Sequence, residues 1–106
     1  LKLVIKCWLK LKNLTMYLEI ITPELTVFKG EVDSVYVPGT NGDFEMLNNH
    51  AAIVSTLKKG FVKIFGDIGL NDTNKFLFEK KGKGYWYAIK SGTIEMNANK
   101  VIVLAD

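Results

Sequence analysis

The run Val35-Tyr36-Val37-Pro38-Gly39-Thr40-Asn41-Gly42-Asp43-Phe44-Glu45-Met46-Leu47 decides how the chain folds. Its two ends are rich in β-branched and aromatic residues, and its middle cannot continue a strand. Pro38 has no amide hydrogen to give to a ladder, and Asn41-Gly42 supplies the positive φ that a tight chain reversal needs. The run therefore reads as strand, turn, short strand, with the second strand over Phe44 to Leu47.

The same grammar extends in both directions. Upstream, a strand over Tyr17 to Thr22 stops at Pro23, and a second runs from Val27 to Val37. Downstream, Asn48 and Asn49 make a turn that presents His50. A hairpin follows, from Ala51 to Leu57, through Lys58-Lys59-Gly60, into Phe61 to Phe65. A polar loop from Gly66 to Asn74 precedes strands over Lys75 to Lys80 and Tyr85 to Lys90, separated by Lys81-Gly82-Lys83-Gly84. The last hairpin pairs Thr93 to Met96 with Val101 to Ala105 across Asn97-Ala98-Asn99. Short strands separated by turns every 8 to 12 residues or so indicate an all-β sandwich or barrel. No stretch has a helical pattern.

Ala51 to Val54 and Val101 to Ala105 are apolar at both parities. Side chains alternate between the two faces of a strand, so each of these runs needs cover on its outer face. The cover is either a partner surface or the interior of a closed barrel or overlying loop.

The 106 residues suffice for one domain and one core. The net charge of +3 is local: Lys2, Lys6, Lys10 and Lys12 lie in the first fifteen residues, which have no acid. From Met16 onward the remaining ten lysines meet eleven carboxylates, and the chain has no arginine. A basic nucleic-acid footprint is thus not a property of the domain. Cys7 is the single cysteine, which excludes an intrachain disulfide.

Candidate chemistry is sparse. His50 is the sole histidine and has no constellation around it in sequence. Asp43 and Glu45 lie two apart and form a solvated pair beside a turn, too little for a hydrolase. Phosphate-loop and nucleophile-elbow patterns are absent. The run Tyr85-Trp86-Tyr87 offers a stacking platform for a sugar or a single-stranded nucleic acid, although sandwich strands commonly carry such residues in their cores. That defines the competing function, a free β-sandwich binding module.

The order of motifs is more specific than any one of them. Met16-Tyr17-Leu18-Glu19-Ile20-Ile21-Thr22-Pro23-Glu24, Phe28-Lys29-Gly30-Glu31-Val32, Val37-Pro38-Gly39-Thr40-Asn41-Gly42-Asp43-Phe44, Leu47-Asn48-Asn49-His50-Ala51, Ser91-Gly92-Thr93-Ile94-Glu95 and Val101-Ile102-Val103-Leu104-Ala105-Asp106 follow one another in the chain. In that order they resemble the epsilon subunit of bacterial F-type ATP synthases from Met16 to Asp106. The resemblance implies a flattened sandwich of about ten strands. It also implies a non-catalytic part of the central-stalk rotor that joins the gamma subunit to the c-ring and couples proton translocation to ATP synthesis. By matched position, Gly42, Asp43 and Phe44 are implied as the c-ring contact, and Thr22, His50, Ala51 and Ser55 as the gamma contact. The implied location is peripheral, at the cytoplasmic face of the bacterial inner membrane, with no cofactor, metal or bound nucleotide.

Three departures from the family pattern stand out. Ala52 replaces a proline common after the His-Ala pair. The loop from Gly66 to Gly84 is long. The sequence ends at Leu104-Ala105-Asp106, where inhibitory or ATP-sensing members continue into a helical hairpin, so it reads as the short form and neither activity is carried over. Residues 1–15 precede the usual family start and alternate Leu1, Leu3, Ile5, Cys7, Leu9 and Leu11 with a lysine-bearing face. They read as an extra segment, either a leader or annotation artefact, or else an added edge strand or a cationic contact with acidic lipid or a partner.

Overall fold

The structure, a computed structural model, describes residues 15–47, 51–66, 68–70 and 74–106. The N-terminal segment, the Asn48-Asn49 turn, His50 and part of the long loop lie outside the described residues. The strands are β1 (Met16–Ile21), β2 (Thr26–Val32), β3 (Ser34–Val37), β4 (Phe44–Leu47), β5 (Ile53–Leu57), β6 (Gly60–Phe65), β7 (Glu79–Lys81), β8 (Gly84–Ile89), β9 (Gly92–Asn97) and β10 (Lys100–Ala105). They form two five-stranded sheets, ordered β2-β1-β10-β9-β5 and β4-β3-β6-β8-β7. The pairing of β1 with β10 is parallel, and every other pair is antiparallel. This is the sandwich of about ten strands expected from the motif order, flattened to 48 × 32 × 24 Å.

The core lies between the sheets. Leu18, Ile20, Ile94, Met96, Val101 and Val103 from the first sheet meet Val35, Val37, Met46, Val62 and Ile64 from the second, all buried. Burying such side chains contributes about 1.5–3 kcal/mol each relative to leaving them exposed, and this drives the two layers together. The β1–β2 register shifts at Ile20/Ile21, leaving Val27 as an extra residue on β2. That bulge lets Val27 and Phe28 both be buried although they are consecutive.

Three expectations are corrected. The single strand expected from Val27 to Val37 is two: the chain leaves the first sheet after Val32 and enters the second at Ser34. Asp33 turns this corner, its amide donating to the Phe65 carbonyl at 2.8 Å. The hairpin expected between Ala51–Leu57 and Phe61–Phe65 does not form, because β5 pairs with β9 while β6 pairs with β3 and β8. Lys58-Lys59 is another corner between sheets, held by the Lys58 amide on the Pro38 carbonyl at 2.9 Å. A corner and a hairpin both put turn residues between apolar runs, so local sequence does not separate them. The strand expected over Lys75 to Lys80 begins instead as a 3-10 turn, Lys75–Leu77, and only Glu79–Lys81 pairs with β8. Asn74 holds that turn against the sandwich by donating its side-chain amide to the Val27 carbonyl at 3.1 Å.

Candidate partner-binding site

The β3–β4 connection, Pro38 to Asp43, is anchored from several sides. Gly39 pairs with Leu57 in an isolated bridge, the Thr40 amide donates to the Thr56 carbonyl at 3.0 Å, and the Thr40 and Thr56 hydroxyls lie 2.7 Å apart. Gly39 has no room for a side chain: a Cβ there would stand 2.5 Å from the Gly42 carbonyl oxygen and 2.7 Å from the Phe44 ring. Gly42 takes φ 129° and donates its amide to the Gly39 carbonyl at 3.0 Å. Asp43 follows, exposed. Phe44 is half-buried against the core, so it braces the loop while Gly42 and Asp43 form its accessible tip. Asp43 lies in the loop and Glu45 in β4, and both are exposed, unlike the enclosed carboxyl of an acid-base pair.

Thr22 follows β1 and closes a tight turn around Pro23-Glu24, with its hydroxyl donating to the Leu25 carbonyl at 3.1 Å. Ser55 lies opposite Ile94, half-buried, and its hydroxyl donates to the Thr56 carbonyl at 3.2 Å. Ala51 is exposed ahead of β5, and His50 lies outside the described residues. Thr22 sits level with Leu57, Gly92 and Ala105, whereas Ala51 precedes the opposite end of β5. Three strand spacings of about 4.8 Å separate β1 from β5, so Thr22 and Ala51 do not share a pocket. They bracket the outer face of the first sheet.

That outer face answers the question posed by the doubly apolar runs. Val101, Val103 and Ala105 point into the core, while Leu104 is 51% exposed and Val54 75% exposed. Among the described residues nothing covers them. The rows across this face are Asn97, Lys100, Tyr17 and Glu31, then Val54, Glu95, Ile102, Glu19 and Lys29, and then Thr56, Thr93, Leu104, Ile21 and Thr26.

At the Thr22 end the face runs into a groove of about 600 Å³, lined by Thr22, Thr56, Leu57, Thr93, Leu104 and Asp106 among others. A smaller one of about 350 Å³, lined by Glu24, Leu25, Leu77 and Tyr87, shares Thr22, Pro23 and Asp106 with it. The Ser91 hydroxyl donates to the Asp106 carboxylate, and the Asp106 amide returns to the Ser91 carbonyl at 3.2 Å. Burial first, and then the Glu24 charge, raise the Tyr87 hydroxyl above its usual pKa. Sequence reading missed Ser91, Thr56 and Asp106 as groove residues. Strict alternation from Val101 would have placed Leu104 outside, but the strand pairing that brings Ser91 and Asp106 together has no local signal.

The aromatic run at Tyr85, Trp86 and Tyr87 is split. Tyr85 and Tyr87 pack against the core, and Trp86 lies outward, 5.4 Å from Phe61 and beneath Lys63 and Lys81 at 4.2 and 4.3 Å. Consecutive strand residues point to opposite faces, so the three rings do not make one platform. No group of three or more His, Cys, Asp or Glu side chains is placed to hold a metal among the described residues. No helix among them is long and apolar enough to cross a membrane.

Comparison with known proteins agrees with this architecture. The chain is 38% identical over 92 residues to the ATP synthase epsilon chain of Campylobacter fetus, covering 87% of this chain and 61% of that protein. It is 35% identical over 89 residues to the ATP synthase epsilon chain of Chlorobaculum tepidum, covering 84% and 86%. It thus spans about three fifths of the length of the first of these relatives. Its fold matches a chain in the central stalk/c-ring structure of Tetrahymena thermophila mitochondrial ATP synthase, with TM-score 0.63 at 14% identity over 85% of this chain and 62% of that one. The family profile for the ATP synthase delta/epsilon chain β-sandwich domain matches residues 15–106, and the chain belongs to that family.

Proposed function

We propose that this chain is a non-catalytic central-stalk subunit of an F-type ATP synthase, peripheral to the membrane at its cytoplasmic face. In this reading the outer face of the first sheet, with Thr22 and Ala51 at its two ends, meets the gamma subunit, and His50 and Ser55 are assigned to the same contact by matched position in the family. The loop tip at Gly42 and Asp43, braced by Phe44, meets the c-ring, so that rotation of the ring is passed to the stalk. Residues 16–106 form the working unit, and residues 1–15 are additional to it.

The observation that carries the reading is the family match over nearly the whole chain. The geometry supports it through a face that exposes Val54 and Leu104 among charged and hydroxyl side chains, and through a rigidly mounted carboxylate. A β-sheet face with side chains such as Val54 and Leu104 in water is a docking surface in search of a partner, and anchored loops on rigid scaffolds commonly carry function. The free binding module has less support, since its three aromatics face two directions.

The test is affinity purification of the chain from its native membranes, followed by identification of what comes with it. Gamma and c subunits are expected in stoichiometric amounts. Recovery without either would refute the stalk assignment.

A further inference from the structure

The β3–β4 connection leaves the second sheet at Val37 and returns to it at Phe44, but between the two it pairs with the first. The Lys58 amide donates to the Pro38 carbonyl at 2.9 Å and the Thr40 amide to the Thr56 carbonyl at 3.0 Å, bracketing the Gly39–Leu57 bridge. Pro38 to Thr40 thus extend the first sheet beyond its edge strand β5. The fit is close: Pro38 and Gly39 are buried, and a Cβ on Gly60 would stand 2.8 Å from the Pro38 Cβ.

Two main-chain bonds so near each other define an axis, and a glycine between them leaves the loop free to turn about it. The hydrogen bond between the Thr40 and Thr56 hydroxyls, 2.7 Å apart, lies off that axis on the outer face of the sheet, because Thr56 shares that face with Thr93 and Leu104. It removes the remaining rotation. The Gly42 amide, donating to the Gly39 carbonyl at 3.0 Å, then ties the tip of the loop to its anchored stem.

We infer that Thr40 and Thr56 are positioning residues whose hydroxyl pair locks the Gly42-Asp43 tip to β5, so that the surface assigned to the c-ring and the sheet assigned to gamma move as one body. The inference rests on the stalk reading for what lies at either end, and adds the route between them. Ser55, assigned to the gamma contact, is the neighbour of Thr56 on β5. The other route from the loop, through Phe44 and the core, crosses between the sheets by side-chain packing. A contact left loose by about 1 Å loses much of what its residues were placed to do, and the lock prevents this at Asp43.

Thr40→Val and Thr56→Val remove the hydroxyls while keeping the β-branched shape and every main-chain bond. In the full chain, amide hydrogen exchange at Thr40 and Gly42 should quicken about two- to tenfold in either variant, the factor that one net hydrogen bond is worth. Exchange at Ile20 and Val103 in the core strands should stay as in wild type, which separates a loosened loop from a destabilised fold. Either single variant should have the effect of both together, because a hydroxyl without its partner holds nothing. The double variant Thr40→Ser, Thr56→Ser keeps the pair and should return exchange to the wild-type rate. Unchanged exchange in the Val variants, or effects that add, overturns the lock.

The reconstituted complex tests what the lock is for. With either Val variant fully incorporated, the ratio of ATP-driven proton pumping to ATP hydrolysis is expected to fall, and the double Ser variant should restore it. A wild-type ratio despite faster exchange at Gly42 overturns the coupling role and leaves the stalk reading intact. A fall with Thr40→Val alone puts the Thr40 hydroxyl against a partner and overturns the pair. Failure of the wild-type chain to assemble with gamma and c subunits refutes the stalk reading itself, and the coupling role with it.

Discussion

Ala98 stands at φ 52° and Asn99 at φ 61°, both in the left-handed region, in the turn between β9 and β10. Two such residues make the reversal whose twist matches the flanking strands. Asn tolerates this conformation. For Ala it costs about 1–2 kcal/mol, and glycine's larger unfolded-state entropy offsets only part of that. Ala98→Gly should therefore raise stability by roughly 0.5–1 kcal/mol in urea denaturation, and Ala98→Val should lower it. Asn97-Ala98-Asn99 was legible as a turn, but the strained member was not, since alanine carries no turn signature. At Tyr87 the prediction concerns pH. Burial and then Glu24 raise its pKa above 10.0, so the folded state favours the neutral phenol over the phenolate. Its contribution to stability is complete below pH 10.0 and is lost as pH rises through the higher folded value. Tyr87→Phe should accordingly show a shallower fall in unfolding midpoint above that pH than wild type, measured side by side. An identical fall in both proteins would remove Tyr87 from the alkaline response.

At the scale of elements, the pairing of β9 with β10 depends on Gly92. A Cβ at this position would meet the Leu104 carbonyl oxygen at 2.4 Å and the Ala105 Cα at 3.2 Å, both main-chain atoms that cannot swing aside. Gly92→Ala must push the strand ends apart, and a cost of about 2 kcal/mol or more is expected. Faster amide exchange at Leu104 and Ala105 would show where the damage falls. Wild-type stability would mean that the strands have slack at this end. The groove end of the sheet depends on the same contact, because Thr93, Leu104 and Asp106 flank it. Two of the crossings between sheets, at Asp33 and at Lys58-Lys59, raise a different point about elements. Local residue types mark a turn at Lys58-Lys59 but not at Asp33, which the sequence reads as mid-strand, and at both corners a backbone hydrogen bond to a residue distant in sequence holds the chain.

On the scale of the whole molecule, the anchored loop makes Asp43 a fixed surface charge with no part in the core. Asp43→Ala and Asp43→Lys should both leave the isolated domain's melting temperature unchanged. In the proposed assembly a rim pair formed by this carboxylate is worth about 0.2–1 kcal/mol, so Asp43→Ala should weaken docking slightly. Asp43→Lys sets like charges against each other if a cation faces it, and should do more. The expected signature in reconstituted membranes is lowered ATP-driven proton pumping with ATP hydrolysis retained. Full pumping by a completely incorporated Asp43→Lys subunit would take this residue out of the coupling interface. Gly39→Ala offers the complementary case, because it disturbs the mounting and keeps the charge. With a Cβ forced against the Gly42 carbonyl and the Phe44 ring, it should reduce coupling along with some loss of stability.

Much of this protein was written in its local sequence. Alternating burial in β1 and β10, the stop at Pro23, the reversal at Gly39-Thr40-Asn41-Gly42 and the turn at Asn97-Ala98-Asn99 each follow from what single residues permit their own backbone to do. The order of motifs carried the family as well, because it preserves spacing along the chain. Tertiary structure alone decided which strands became neighbours: that β1 lies beside β10 in parallel, that β5 and β6 part into different sheets, and that Tyr85 and Tyr87 turn inward while Trp86 turns out. It also decided the grooves, where Thr22, Thr56, Ser91 and Asp106 meet from four separated stretches of chain. The physical reason is the range of the interactions. Turn chemistry and side-chain alternation act within a few residues, whereas sheet order is chosen by how all the apolar faces can be buried at once, a condition that no short window contains.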